Sequence, residues 1–401
     1  MTRTAPAENL RADPKREVLI SGAGIAGTTL AFWLHRRGFD VTVIERATAV
    51  RGGGYPVDVR GTALEVVRRM GILPRLQDAH IDLRRLTFLD EDGGRIAALH
   101  PHTLTGGAGR DLEVPRGDLT EALHAAIRDD VPFLFDESIA TLHQHGHGVD
   151  VTFRGGGSRT FDLVIGADGL HSRTRELVFG PEQRFHRYLG YCFAGFTVPN
   201  TYGLTRETVL WNSPGRAAAL YAAGHDEIHA LLNFAHPEPP HAAFRNPRAQ
   251  RDLVATAFAD AGWEVPGLLT AMRDADDLFF DAVGQIRMPR WSSGRVALVG
   301  DAAHAPSFLT GQGTSLALIG AHVLADSLAD QDHAAGFAAY DRATRDFATT
   351  NQDRIGDGDA ALFPTTAHAL HERNTRLREL STAPAAAARP AHTPPTLPPR
   401  A

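Results

Sequence analysis

EVLISGAGIAGTTLAFWLHRRGFDVTVIE, Glu17 to Glu45, decides the fold. An apolar run ends at Ser21, a helical pattern opens near Ile25, and a second apolar run ends at Glu45. Between strand and helix lies Gly22-Ala23-Gly24-Ile25-Ala26-Gly27, a G-x-G-x-x-G. Its first glycine permits the tight turn, its second lets backbone approach a pyrophosphate, and its third lets helix and strand pack closely. The helix N-terminus presents N–H groups to the phosphates. Glu45 closes the second strand roughly 20 residues on, where an acid holds a ribose hydroxyl. A glycine turn with no ligand is the plain alternative. Gly22, Gly24, Ala26, Gly27 and Glu45 are therefore candidate dinucleotide contacts, and the acid favours an unphosphorylated ribose, as in FAD or NAD. Arg46 reaches a phosphate or the adenine, or is simply a solvated surface arginine.

Outward from that unit, apolar runs alternate with helical patterns, which predicts an α/β fold. DLTEALHAAIRDD (118–130) reads as a helix, and GVDVTF and FDLVIGADG as short strands. From 184 to 284 the character changes: AALYAA and EIHALLNFA repeat with a period of two, as in an antiparallel sheet. Helical patterning resumes at Gly313. The expected architecture is an α/β composite. Residues 17–183 and 285–355 form a discontinuous Rossmann-like dinucleotide-binding domain, 184–284 an inserted antiparallel-sheet substrate domain, and 356–380 a C-terminal helical segment. Residues 1–16 read as a flexible arm. The Pro/Ala-rich 381–401 read as a disordered tail.

Composition removes several function classes. A net charge of -6 argues against nucleic acid or an anionic membrane as partner. No apolar run approaches a membrane span, and the N-terminus lacks a secretory h-region, so a cytoplasmic protein is expected. Cys192 is the single cysteine, which excludes an internal disulfide or a cysteine metal cluster. Lys15 is the single lysine and lies in the N-terminal arm, so Schiff-base and P-loop chemistry lack their lysine inside the fold. No metal-ligand spacing appears. HQHGH (143–147) reads as a solvated turn.

RVALVGDAAHAPSFLTGQGTS, Arg295 to Ser315, ends an apolar strand at Asp301 and passes through small residues to Gly311-Gln312-Gly313. DLVIGADGLHSRTR, Asp162 to Arg175, forms a third unit between the other two. With these three motifs, residues 17–355 resemble the FAD-dependent aromatic hydroxylases. These are class A flavoprotein monooxygenases of the para-hydroxybenzoate hydroxylase type, and the likeness is nearest to the compact tetracycline-modifying and natural-product members. The resemblance implies non-covalent FAD. Asp301 would accept from the ribityl chain, and Gly311, Gln312 and Gly313 would turn backbone N–H groups toward the flavin ring, with Pro306 fixing the loop. Asp168 would lie near the pyrophosphate and nicotinamide, and Arg116 against FAD. Asp58, with Arg60, would stand beside the ring. The alternative for Asp301 is a helix cap, for Asp168 a turn residue, and for Arg116 an ordinary helix start.

The implied cycle consumes NADPH or NADH and O2. A flavin C4a-hydroperoxide then hydroxylates an aromatic or polyketide-like molecule. Phe193, Trp211, Tyr221, Phe234 and Phe308 are candidate substrate walls, and Arg216 a candidate anchor; plain core is the competing role for the aromatics. No general base is assigned. The partners expected are the small molecule and O2, in a monomer or homodimer. Epoxidation, Baeyer–Villiger oxidation and a redox-silent cyclisation with FAD as a structural prop remain alternatives on the same fold.

Overall fold

The computed structural model describes residues 15–382 apart from 51, 53–54, 102, 104–110, 245, 354 and 356–361. The arm up to residue 14 and the tail from 383 lie outside the described residues. Arg16, at the end of the expected arm, donates to the backbone oxygens of Leu328 and Gln331.

The first sheet is a six-stranded one. In spatial order its strands are Ser292–Ser293, Val296–Leu298, Leu163–Gly166, Glu17–Ser21, Asp40–Glu45 and Phe133–Phe135. All neighbours pair in parallel except the first two. A parallel sheet is covered on both faces, so its strands read as continuous apolar runs rather than alternations. Val18, Ile20, Val41, Val43 and Ile165 face the helices Ile25–Arg36 and Gly313–Ala329 in the main core. Leu19, Ile44, Val164 and Val296 face the other way. There they meet a three-stranded antiparallel sheet of Ile139–His145, Gly148–Phe153 and Ser158–Phe161.

The second large sheet has seven strands. Their order is Phe279–Ile286, His186–Pro199, Glu227–Ala235, Arg216–Ala222, Glu207–Ser213, Arg85–Leu89 and Arg95–Leu99. Five come from the stretch whose period of two announced a sheet. Arg85–Leu89 and Arg95–Leu99 come from the part of the chain that the sequence groups with the nucleotide unit. Arg85–Leu89 pairs in parallel with Glu207–Ser213, a long-range register with no local sequence signal. The turn between the two strands is closed by Asp90, whose Oδ1 accepts from the backbone N–H groups of Gly94 at 2.6 Å and Asp92 at 3.1 Å.

The two faces of this sheet have different neighbours. The outer face, with Ala194, Trp211, Leu220 and Phe234, packs on the helices Pro247–Ala257 and Val265–Asp274. The inner face, with Tyr191, Phe193, Leu210 and Ala219, packs on Leu309, Phe363 and Leu377. Leu377 lies on the helix Ala367–Thr382, which runs two residues past the expected start of the tail.

Candidate functional site

The glycine loop assigns a different job to each glycine. Gly22 has φ +110°, and a Cβ there would stand 2.5 Å from the Ala167 carbonyl oxygen. A Cβ on Gly27 would lie 1.9 Å from the Gly22 carbonyl oxygen. Both glycines are required by packing between loop, strand and helix. A Cβ on Gly24 meets no protein atom within 4 Å. Gly24 thus faces open space at the N-terminus of the helix Ile25–Arg36, where an anion is favoured. Glu45 reaches back to this loop: its Oε2 accepts from Ala23 N and its Oε1 from Ala47 N, both at 2.9 Å. A carboxylate keeps further lone pairs for a second donor. Arg46 follows on the surface and is exposed.

Asp301 opens a one-turn helix, Asp301–His304, directly after the strand Val296–Leu298. Gly300 precedes it at φ +64°, and a Cβ there would stand 2.7 Å from the Ala26 Cβ. Strand end and glycine loop therefore meet. The Asp301 residue is solvent-accessible, yet its carboxyl lies deep between surrounding elements. Burial pushes its pKa up, against the pull of the Arg116 guanidinium. Tyr55 lies in the same place, its hydroxyl raised by burial and influenced by Arg116 and Asp301. After Asp301 the chain passes Pro306, whose carbonyl accepts from Gln285 Nε2 at 3.1 Å, and turns at Gly311 with φ +61°. Gln312 then precedes the helix that starts at Gly313. An accessible acid, a left-handed glycine and a long helix's N-terminus so converge.

Asp168 stands against the Gly22 turn, where a Cβ on Gly22 would lie 3.0 Å from its Cα, and its carboxylate is engaged locally. Its Oδ1 accepts from Ser172 Oγ, and its Oδ2 from Thr174 N and Oγ1, both at 2.9 Å. It braces the start of the helix Arg173–Phe179. The turn-residue alternative describes these contacts. Arg175 is fully buried, bonded to Glu182 at 2.6 Å and to the backbone oxygens of Leu170 and Ala302. It ties this loop to the Asp301 turn.

The substrate candidates separate by face. Phe193 and Phe308 meet with ring centroids 4.8 Å apart, and Tyr55 stands edge-on to Phe193 at 6.3 Å. Tyr221 also points to the inner face, where Ala217 and Ala219 precede it on the same strand. Three candidates lie on the other side, at the helices of the outer face. Trp211 is 1% exposed on the outer face, and its Nε1 donates to the Glu91 carbonyl at 3.0 Å. Phe234 packs there against Phe258. Arg216 donates to Ser213 Oγ, to the Ala257 carbonyl and to Asp260, at the helix Pro247–Ala257. A period of two shows that a strand alternates, but not which face meets the helices Pro247–Ala257 and Val265–Asp274 and which meets Leu309 and Phe308.

A family model described as an FAD binding domain matches residues 15–354. The chain belongs to the FAD-dependent aromatic hydroxylases. It is a flavin-dependent monooxygenase. An uncharacterised protein of Mycobacterium tuberculosis is 44% identical over 347 residues, covering 85% of this chain and 93% of the relative. A flavin-dependent monooxygenase from an unknown prokaryotic organism is 36% identical, covering 90% of this chain and 94% of its own. The crystal structure of tetracycline destructase Tet(55) is similar with a TM-score of 0.79 and 34% identity, over 92% of this chain and 96% of that one. The open Gly24, the accessible Asp301 and the bare Gly311–Gly313 turn fit the FAD of this monooxygenase family.

Two features of this monooxygenase escape the motif reading. Glu113 stands beside Asp58 and Tyr221, and its carboxyl is raised to about 7, by burial first and by Asp58 second. His171 sits between Glu182 and Asp281 and is raised to about 10 by hydrogen bonds to both. Glu113 lies outside the three motifs, and His171, inside Asp162–Arg175, carries no assigned role there. Both depend on partners brought in by tertiary pairing.

Proposed function

We propose that this flavin-dependent monooxygenase uses NADPH or NADH and O2 to hydroxylate an aromatic or polyketide-like small molecule, held on the inner face of the seven-stranded sheet. The observation that carries the reading is the contact of Phe308 with Phe193 at 4.8 Å. It joins the turn leading to Gly311–Gly313 to the sheet's inner face, so a molecule there lies next to the ring. Similarity to the tetracycline destructases Tet(51) and Tet(55), at 30% and 34% identity, supports a polycyclic substrate.

Gly22, Gly24, Ala26 and Gly27 hold the pyrophosphate at the helix N-terminus, and Glu45 takes the ribose, with Arg46 at the outer end. Asp301 accepts from the ribityl hydroxyls, and Arg116 and Asp58 flank the flavin. Bound FAD supplies electron transfer from the nicotinamide and the activation of O2. Gly311 N donates to the Phe308 carbonyl at 3.0 Å and Gln312 N to Thr310 Oγ1 at 3.2 Å, which shapes the turn; the helix N-terminus that opens at Gly313 stabilises negative charge at the ring's pyrimidine edge, because the first N–H groups of a helix lack intrahelical partners. Phe193 and Phe308 orient the substrate and keep water out.

The test is the visible spectrum of the FAD-loaded protein during anaerobic addition of NADPH, with and without a phenolic polycycle, then on admission of O2. Bleaching, faster with one polycycle, followed by a product that has gained one oxygen atom, supports the reading. A flavin that NADPH and NADH both leave oxidised, with and without ligand, refutes it.

A further inference from the structure

Asp58 and Glu113 stand directly opposite each other where Pro56–Val59 pairs antiparallel with Leu112–Pro115. Val57, Val59, Leu112 and Val114 turn to the other side of this ribbon, into the main core. Both carboxyls therefore leave on the same side. Like charges directly opposite on a ribbon repel, so one of the two tends to keep its proton. Arg60 pairs with Asp58 at 2.8 Å and favours its charged form, against the burial that raises the Asp58 carboxyl too.

The carboxyl pair faces both halves of the site. A Cβ on Gly311 would stand 3.1 Å from Asp58 Oδ2, so the pair borders the turn at the flavin helix. Across from it, the Tyr221 hydroxyl lies near the Glu113 carboxyl and has no hydrogen-bond partner of its own. Thr208 is directly opposite Tyr221 on the next strand. It is 8% exposed, and its Oγ1 has no hydrogen-bond partner. A buried hydroxyl left unpaired is costly, and a ligand oxygen placed beside Tyr221 relieves it. Arg60 also acts on the Glu113 carboxyl; Asp111 acts on Asp58, and His80 Nδ1 lies 3.1 Å from the Glu113 backbone carbonyl rather than its carboxyl.

We propose that Glu113 is the proton acceptor for an acidic hydroxyl, phenolic or enolic, of the substrate. This inference rests on the monooxygenase reading above. One proton passes from the substrate oxygen to a Glu113 carboxylate oxygen. The O–H bond of the substrate breaks, an O–H bond forms on Glu113, and the negative charge moves to the substrate. A phenolate pushes electron density to its ortho and para carbons, the positions an electrophilic oxygen attacks. Tyr221 lies beside that carboxyl and positions the substrate oxygen. Burial holds the Glu113 carboxyl at about 7, with Asp58 adding to the rise and Tyr221 and Arg60 opposing it. An acceptor poised near neutrality suits a hydroxyl of comparable acidity.

Infrared difference spectroscopy of the FAD-loaded protein tests the proposal through the carboxylic-acid carbonyl band. The probe is alizarin, a flat dihydroxy quinone, against its dimethyl ether. A band that titrates near pH 7 is expected, absent in Glu113→Gln and moved to higher pH in Tyr221→Phe. About one unit above that midpoint, alizarin restores the band in the wild type and its ether does not. A band that survives Glu113→Gln overturns the proposal, and so does alizarin that leaves the band unchanged. Bleaching by NADPH in the same samples reports separately on the monooxygenase reading. Glu113→Asp, which keeps a carboxyl, controls for misfolding of the amide variant by retaining a titrating band.

Discussion

His171 Nε2 lies 3.1 Å from Asp281 Oδ1, and this contact fastens the loop after the strand Leu163–Gly166 to the strand Phe279–Ile286 of the other sheet. Its Nδ1 lies 2.8 Å from Glu182 Oε1. Hydrogen bonds to Asp281 and Glu182 raise the ring to about 10 against the cost of burial. An unfolded histidine titrates near ~6.5. The raised folded value means the contact stabilises fully below that pH, and the contribution disappears as pH climbs through about 10. The side chain is 41% exposed, so screening limits its worth to about 1 kcal/mol. His171→Gln is expected to lower Tm by ~2–4 °C at mildly acid pH, and by nearly nothing once pH exceeds the ring's value. Thermal melts at the two pH values decide it. Equal losses at both would assign the effect to packing on Phe244, 5.9 Å away, rather than to charge.

The glycine loop separates folding from cofactor retention. Gly27→Ala drives a Cβ to 1.9 Å from a backbone oxygen that has nowhere to go. A loss of roughly 2–4 kcal/mol is expected, together with weak FAD binding. Gly24→Ala meets no protein atom within 4 Å. The apoprotein should therefore melt within a degree or two of wild type while FAD affinity falls about tenfold or more. Apoprotein melts and the fluorescence of released FAD measure the two effects. Unchanged FAD affinity in Gly24→Ala would remove the pyrophosphate from this loop.

How much of this was legible in the chain depends on the range of the interaction. The unit from Glu17 to Glu45 was readable because its apolar period, glycines and closing acid all lie within one strand–helix–strand. The turn from Asp301 to Gly313 was readable for the same reason. Asp168 was readable as a motif, but its partners Ser172 and Thr174, four and six residues on, carried the signal for a bracing role. The inner and outer faces of the seven-stranded sheet were not readable. Leu210 and Trp211 are neighbours of similar character, and only the helices Pro247–Ala257 and Val265–Asp274 decide that Trp211 belongs to the outer core. Glu113 was missed because Asp58 reaches it through strand register, and Tyr221 through a different sheet.

His322 predicts acid sensitivity. It is 1% exposed on the helix Gly313–Ala329, tilted at 53° against Trp33 with ring centroids 4.4 Å apart, and neither ring nitrogen has a hydrogen-bond partner. Burial lowers it to about 4, with Arg69 and Arg37 adding to the shift. The folded value lies below the unfolded ~6.5. Stability is thus full above that pH and declines as pH falls toward 4, because the unfolded chain gains a proton first. His322→Leu deletes two unpaired polar atoms and should be neutral or stabilising by up to ~1 kcal/mol at neutral pH. Its urea midpoint should also fall less steeply between neutral pH and pH 5 than that of wild type. Parallel pH curves for the two proteins would rule His322 out as the titrating group.

The assignment of faces on the seven-stranded sheet is tested by three substitutions read together. Phe308→Ala removes a half-buried ring that touches Phe193 and Phe363, at the turn beside the proposed flavin site. It is expected to cost about tenfold in kcat/KM with a modest change in Tm, since a misplaced substrate loses near-attack geometry before the fold loses its core. Trp211→Ala empties the outer core, and a loss of ~3–5 kcal/mol is expected; any protein that remains folded should keep its KM. Arg216→Ala releases Asp260 and the end of the helix Pro247–Ala257. Its KM should stay within about twofold of wild type, since side chains away from the bound molecule contribute little to affinity. Steady-state NADPH oxidation with a responsive polycycle, beside melts of each variant, gives both quantities. A raised KM in Arg216→Ala with Tm unchanged would place the substrate on the outer face, and the contact of Phe308 with Phe193 would then be packing alone.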